Sequence, residues 1–131
     1  MPSTAPSTSG RARPTRKRIV IFERFTVVRV PFPFTDRNAA KNRPALVLSD
    51  AVAFNAPVGH SVMAMITSAA NPPWPLDYLI DDLAAAGLPA PSKVRFKLFT
   101  LDHRLVRGEL GRFSAADSRG VGEALSRLFG N

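Results

Sequence analysis

Few side chains in this 131-residue chain have the type and the setting for chemistry. Arg43 is one of them: in KNRPALVLSD, residues 41–50, it stands immediately before Pro44 at the mouth of an apolar run. A proline disfavours the helical region for the residue before it, so Arg43 is restricted to extended backbone. Its guanidinium carries a rigid fork of donors that matches two oxygens of a phosphoryl group at once. Taken alone, such an arginine also reads as a solvated residue at a strand start, and Thr67 and Ser68, which close the run HSVMAMITS, read as an ordinary strand end. The two histidines, His60 and His103, lie far apart and lack the HExxH spacing, and there is no cysteine, so no metal site is expected and no thiolate nucleophile exists. His103, in LDHR, reads as a turn residue. The lack of cysteine is compatible with a reducing, cytoplasmic setting.

The elements that must position these residues are short strands. TVVRV (26–30) alternates, with Thr26, Val28 and Val30 on one face and Val27 and Arg29 on the other, and Pro31 and Pro33 are expected to end regular pairing. DRNAAKN (36–42) reads as a polar loop, and PALVLS after it as a strand buried on both sides. HSVMAMIT (60–67) gives a third strand and LDYLI (76–80) a weaker fourth, crowded by the prolines of NPPWP. In SKVRFKLFT (92–100), Val94, Phe96 and Leu98 share one face and Lys93, Arg95 and Lys97 the other, which predicts a strand with a basic outer stripe.

Only the end of the chain has helical period. Ser114 suits the N-cap, Asp117 falls in the first turn, and Val121, Leu125, Leu128 and Phe129 recur at three and four residues. Gly120 and Gly122 weaken that helix, by about 1 kcal/mol each relative to alanine, so it depends on packing. Five or six antiparallel strands and one terminal helix predict a mainly β fold, a small curled barrel lidded by the helix.

The formal charge of +8 is concentrated at one end: Arg11, Arg13, Arg16, Lys17 and Arg18 fall in the first eighteen residues, which hold no acidic residue. That segment is rich in Pro, Ser, Thr and Ala and nearly without apolar side chains. Residues 1–18 are therefore expected to be a disordered basic tail, and 19–131 the folded domain. The tail reads either as an electrostatic arm for nucleic acid or as an inert extension, including one from a misassigned start site. IVIF after the basic run is too short for a secretory signal, which needs about seven or more apolar residues, and no membrane association is expected.

Taken in order, VVRVPFPFTD, a polar loop, RPALVLS, MITS, SKVRFKLFTLD and a helix ending in LSRLF resemble the MazF/PemK-like toxins of type II toxin–antitoxin systems, from about Phe25 to Phe129. The resemblance implies a homodimeric SH3-like β barrel that cuts single-stranded RNA as an endoribonuclease without a metal or other cofactor, and that is neutralised by a cognate antitoxin protein. It implies that Arg43 and Thr67 are the catalytic centre, with Ser68 as a supporting donor. Loop residues Phe34, Thr35, Asp36, Arg37, Lys41 and Asn42, with Arg95 and Lys97 on the fifth strand, then become candidates for RNA binding. Phe34 and Trp74 are aromatic candidates for stacking on bases, with core packing the alternative for Phe34.

Departures from the pattern bear on the proton-transfer groups. Many relatives begin the first strand with Gly-Asp or Gly-Glu, where this chain has Phe25-Thr26, and some carry a carboxylate where it has Arg95, Phe96 and Lys97. The general base is thus unassigned: Arg43 serves more than one role, or an acid such as Asp36 or Glu23 reaches in, or the chain is a weak or altered nuclease. A gyrase-binding toxin of the CcdB type shares the barrel but acts on a protein, and an inactive interaction module is a third reading.

Overall fold

A computed structural model describes residues 21–32 and 41–131. The expected tail, together with Phe34, Thr35, Asp36 and Arg37, lies outside those residues. Six strands form one sheet: β1 (Thr26–Phe32), β2 (Lys41–Val47), β3 (His60–Ser68), β4 (Tyr78–Leu79), β5 (Ser92–Asp102) and β6 (Gly108–Arg112). The spatial order is β4-β5-β3-β2-β1-β6, with antiparallel pairing throughout. The curled, mainly antiparallel sheet with its C-terminal helix matches the fold class expected from the sequence.

The sheet buries both faces, which is why β2 reads as an unbroken apolar run. Leu46 and Leu48 join Val27, Ala64, Ile66, Val94, Phe96 and Val121 in one core cluster. Ala45 and Val47 join Val28, Val30, Met63 and Leu101 in the other. Pairing does not stop at Pro31: Pro31 faces Asn42 and Phe32 faces Lys41, so Lys41 and Asn42 belong to β2 and not to the loop expected there. β6 pairs with Thr26–Arg29, so among the described residues β1 has a strand neighbour on one side only at Pro31, where a missing N–H is tolerated.

Strand β5 keeps the expected alternation through an irregularity in its pairing. Its register against β3 shifts between Ala64 and Met65, so Leu98 pairs with Ala64 while Arg95 pairs with Met65. The bulge adds two residues, so Leu98 stays on the face of Val94 and Phe96, but it lies beyond their core cluster and is exposed. β4 is only two residues long, and β6, GELGR, carries too little apolar pattern to announce itself. Two short helical segments were also silent in the sequence: a π-helical turn (Ala51–Asn55) running into α1 (Ala56–Val58), and α2 (Leu83–Ala86). The buried Asn55 holds the first in place, donating through Nδ2 to the Phe22 and Ser49 carbonyls at 2.7 and 3.0 Å.

The terminal helix α3 spans Ala115–Leu128, and the Ser114 hydroxyl accepts from the Asp117 amide at 3.1 Å, as an N-cap should. Val121 is fully buried and Leu125 packs on the core, but Leu128 and Phe129, placed on the same face by period alone, are exposed, Phe129 by 68%. Asp117 does more than complement the helix dipole. It is buried, and accepts from the Tyr78 hydroxyl at 2.6 Å and from the Asp81 and Asp82 amides at 3.0 and 2.9 Å, tying α3 to β4 and the start of α2. Burial pushes its carboxyl up, but the Tyr78 hydroxyl and the two amides outweigh that and hold it below the usual carboxylate range.

The two helix glycines have opposite reasons for being there. A Cβ on Gly120 would lie 2.2 Å from Tyr78 Cε1, so Gly120 lets the helix approach the Tyr78 ring; a Cβ on Gly122 would meet nothing within 4 Å. Gly122→Ala is therefore expected to raise stability by about 0.5–1 kcal/mol, while Gly120→Ala lowers it by more than 1 kcal/mol through displacement of the ring. Thermal unfolding of the two variants should move in opposite directions; movement in the same direction would refute this account of the helix contact.

Candidate active site

The first three residues of β2 are exposed before the run dives into the core. Arg43 is the third of them, paired with Val30, and its Cζ rests 5.6 Å from the centroid of the exposed Phe32 ring. A cation over an aromatic face is attracted by the ring quadrupole, which fixes where the guanidinium sits without using its donors. Among the described residues none hydrogen-bonds or ion-pairs with that guanidinium.

Register brings the other candidate beside it. β2 and β3 pair Val47 with Met63 and Ala45 with Met65; the same register carried two residues further sets Arg43 opposite Thr67. Thr67 in turn faces Lys93 across β5. Directly opposed residues share a face. Arg43, Thr67 and Lys93 thus form a row across three adjacent strands at the open end of the sheet, above the buried Ala45, Val47 and Met63. Ser68 follows Thr67 by one residue, so its side chain alternates to the other face, where Oγ accepts from the Ala70 amide at 3.1 Å. Continued past the last pair, Ala45 with Met65, the register brings Arg43 toward Thr67, while strand alternation turns Ser68 away from them.

The expected basic stripe of β5 is largely engaged. Arg95 donates to both carboxylate oxygens of Asp77, at 3.2 Å from Nε and 2.9 Å from Nη2, and to the Pro72 carbonyl at 2.6 Å. Lys93 Nζ lies 3.0 Å from the same carboxylate and donates to the Asn71 carbonyl at 2.7 Å. Lys97 and Arg95 stand 4.7 and 5.6 Å from the centroid of Trp74. Together they strap the loop 69–77 across β5. Burial pushes the Asp77 carboxyl up, but hydrogen bonds from Arg95, Lys93 and the Trp74 amide hold it below the usual range. With Lys93 and Arg95 both held by the one Asp77 carboxylate, Arg43 is the cation near this row that has no carboxylate partner among the described residues.

Other candidates sit elsewhere. Lys41 and Asn42 are exposed at the start of β2, Lys41 on the Arg43 face of the sheet and Asn42, one residue on, alternating to the other. Glu23 pairs with Arg112 at 2.9 Å before the start of β1, whereas Arg43 faces Val30 near its end, so at about 3.3 Å per residue the two are separated by more than 13 Å of strand. That distance removes Glu23 as the general base. His103, in a 3-10 turn after β5, bonds through Nε2 to the Ser61 hydroxyl at 2.7 Å and meets the Phe22 ring edge-on. Ser61 and Thr67 are at opposite ends of β3. Among the described residues no three His, Cys, Asp or Glu are grouped so as to hold a metal, and no helix is long and apolar enough to cross a membrane.

Sequence reading passed over Asn71, Asp77 and Lys93 as parts of the site. The available signal was a lone carboxylate in a proline-rich loop facing cations at alternate positions of the following strand.

An antiparallel half-barrel with a C-terminal helix, carrying an exposed arginine and a threonine on adjacent strands, defines a small mainly β domain. The family model for PemK-like, MazF-like toxins of type II toxin–antitoxin systems matches residues 23–129, and the chain belongs to that family. Its structure is similar to that of MazE–MazF (Form-I) from Deinococcus radiodurans, at 26% identity and a TM-score of 0.64 over 86% of this chain and 98% of that one. It is likewise similar to MazF (Form-I) from the same organism, at 25% identity and a TM-score of 0.65 over 86% and 99%. An endoribonuclease in complex with its cognate antitoxin, from a mycobacterial species, shares the fold at 19% identity and a TM-score of 0.64 over 84% and 94% of the two chains. No match of comparable strength is found among curated protein sequences.

Proposed function

We propose that this toxin-family chain is an endoribonuclease that cleaves single-stranded RNA by attack of a ribose 2′-hydroxyl on the adjacent phosphorus, with Arg43 and Thr67 binding the phosphoryl oxygens. The observation that carries the reading is the exposed Arg43 guanidinium, without a hydrogen-bond or ion-pair partner among the described residues, on the strand whose register continues toward Thr67. In such a reaction the 2′-oxygen bonds to phosphorus, the bond to the 5′-oxygen breaks, one proton leaves the 2′-hydroxyl and one reaches the departing oxygen. The products are a 2′,3′-cyclic phosphate and a 5′-hydroxyl. Negative charge grows on the non-bridging oxygens of the phosphorane between. A two-pronged guanidinium and a hydroxyl fixed in advance on strands stabilise that charge without reorganising. Lys41, two residues before Arg43 on the same face and exposed, is placed to contact the backbone of the same RNA strand. The working form is a homodimer, and a cognate antitoxin restrains it, as antitoxin complexes of similar toxins suggest.

Purified protein incubated with RNA in a chelator is expected to cut it, to leave cyclic or 3′-phosphate ends, and to spare a substrate whose 2′-hydroxyl at the cut site is replaced by hydrogen. Cleavage of that deoxy substrate would refute 2′-hydroxyl attack. RNA left intact while gyrase supercoiling is blocked would replace the nuclease reading with the gyrase-binding one.

A further inference from the structure

We propose that Asn71 is a positioning residue that sets the direction in which the Thr67 hydroxyl donates; this rests on the ribonuclease reading above. After β3 the chain turns sharply, with the Asn71 amide donating to the Ser68 carbonyl at 3.1 Å and the Ala69 amide to Pro91 at 3.0 Å. The Asn71 carbonyl is pinned from outside by Lys93 Nζ at 2.7 Å, and Lys93 is itself held by Asp77. The main chain at Asn71 is thus fixed by groups other than its side chain. That side chain folds back on the strand end, and Nδ2 donates to Thr67 Oγ1.

The polarity of this bond matters. A threonine hydroxyl has one hydrogen and accepts through its lone pairs, and an amide nitrogen only donates. With Nδ2 occupying a lone pair, the hydroxyl hydrogen must point away from Asn71, and among the described residues none accepts it. The hydroxyl is left with its hydrogen directed outward on the face it shares with Arg43. Without Asn71 the hydroxyl rotates among its staggered positions and only part of the population donates toward a phosphate, which is a loss of preorganisation and not of the donor itself.

The test is a double-mutant cycle on RNA cleavage with wild type, Asn71→Ala, Thr67→Val and the double variant. Asn71→Ala is expected to lower kcat about tenfold with KM unchanged, less than the 100-fold or more that follows deletion of a preorganised donor. Its unfolding temperature should stay within a few degrees of wild type. In the Thr67→Val background the same change should have no further effect, because Asn71 acts through the hydroxyl. Asn71→Asp keeps the shape but makes the side chain an acceptor that draws the hydrogen inward. Its activity relative to wild type should fall below that of Asn71→Ala at neutral pH and recover as the pH approaches about 4, where protonation restores a donor. Asn71→Ala with wild-type kcat, or an equal loss in the presence and absence of the Thr67 hydroxyl, overturns the proposal. A wild-type protein that cuts no RNA overturns the ribonuclease reading on its own. The hydrogen bond is judged separately by the Asn71 side-chain amide proton signals, which should shift in Thr67→Val; unchanged signals show that it is not made.

Discussion

Replacing Arg43 by alanine is expected to slow RNA cleavage by about 100- to 1,000-fold, or roughly 2.7–4 kcal/mol of transition-state stabilisation, while leaving the protein folded. The large effect on rate follows from position. Arg43 is set opposite Thr67 by the β2–β3 register, is steadied over Phe32 and, among the described residues, gives its donors to no carboxylate. The small effect on stability has the same origin, since an exposed side chain without hydrogen-bond or ion-pair partners loses little on truncation, typically within about 0.5 kcal/mol. Arg43→Lys should recover little activity, because a point charge cannot span two phosphoryl oxygens. Thr67→Val preserves the β-branched shape and removes the hydroxyl, so its activity should fall without a change in the circular dichroism spectrum. An Arg43→Ala protein that is folded and cuts RNA at the wild-type rate would end this assignment and leave a protein-binding toxin as the better reading.

The parts of the fold that were legible in the sequence are those in which burial imposes a pattern. β1 alternates and β2 turns apolar from Pro44 onward because those stretches are covered by core clusters, and Ser114 announces α3 because it has a free amide to cap. The bulge in β5 was not legible, since it adds two residues and so leaves the alternation of apolar and basic residues in phase on either side of it. Leu128 and Phe129 continue the helical period past the point where there is core to pack against. In the site, Arg43 and Thr67 could be singled out by residue type and by the order of motifs, but their opposition depends on a strand register that no local signal fixes. Ser68 was grouped with Thr67 as a neighbour in sequence, whereas strand alternation separates their side chains. Asn71 and Asp77 were invisible because their roles exist only once the loop 69–77 has folded back over β5, which brings Asp77 to partners sixteen and eighteen residues further along the chain.

Asp77→Ala is expected to be among the more damaging single substitutions away from the apolar core, costing about 1–3 kcal/mol, the range found when partly buried polar groups are left without their partner. The exposures decide this: the side chains of Lys93, Arg95 and Asp77 are only 9%, 15% and 12% exposed. Without the carboxylate, two cations are left close together and shielded from water, each with a single carbonyl for company, Asn71 for Lys93 and Pro72 for Arg95. The loop also loses the clamp that holds Leu76 at a φ of 65°, a left-handed conformation that costs a residue with a Cβ about 1–2 kcal/mol. The same carboxylate makes stability depend on pH. Asp77 and Asp117 are both held below the usual range in the folded protein, Asp77 by its cations and Asp117 by the Tyr78 hydroxyl and two amides, each against the upward push of burial. Unfolding returns them to about 3.9, so between the folded and unfolded values the unfolded chain binds more protons. Their contribution is complete above that unfolded value and is lost as the pH falls from about 4 toward the depressed folded values. Urea unfolding between pH 7 and pH 3 should therefore show wild type losing stability over the acid end of that range, and Asp77→Asn, less stable at pH 7, losing less of it. Wild-type stability for Asp77→Ala at pH 7 would show the two cations to be adequately solvated without it. Because Lys93 also pins the main chain of Asn71, Asp77→Ala should slow RNA cleavage even at temperatures where the protein is still folded, which separates this clamp from a purely structural ion pair.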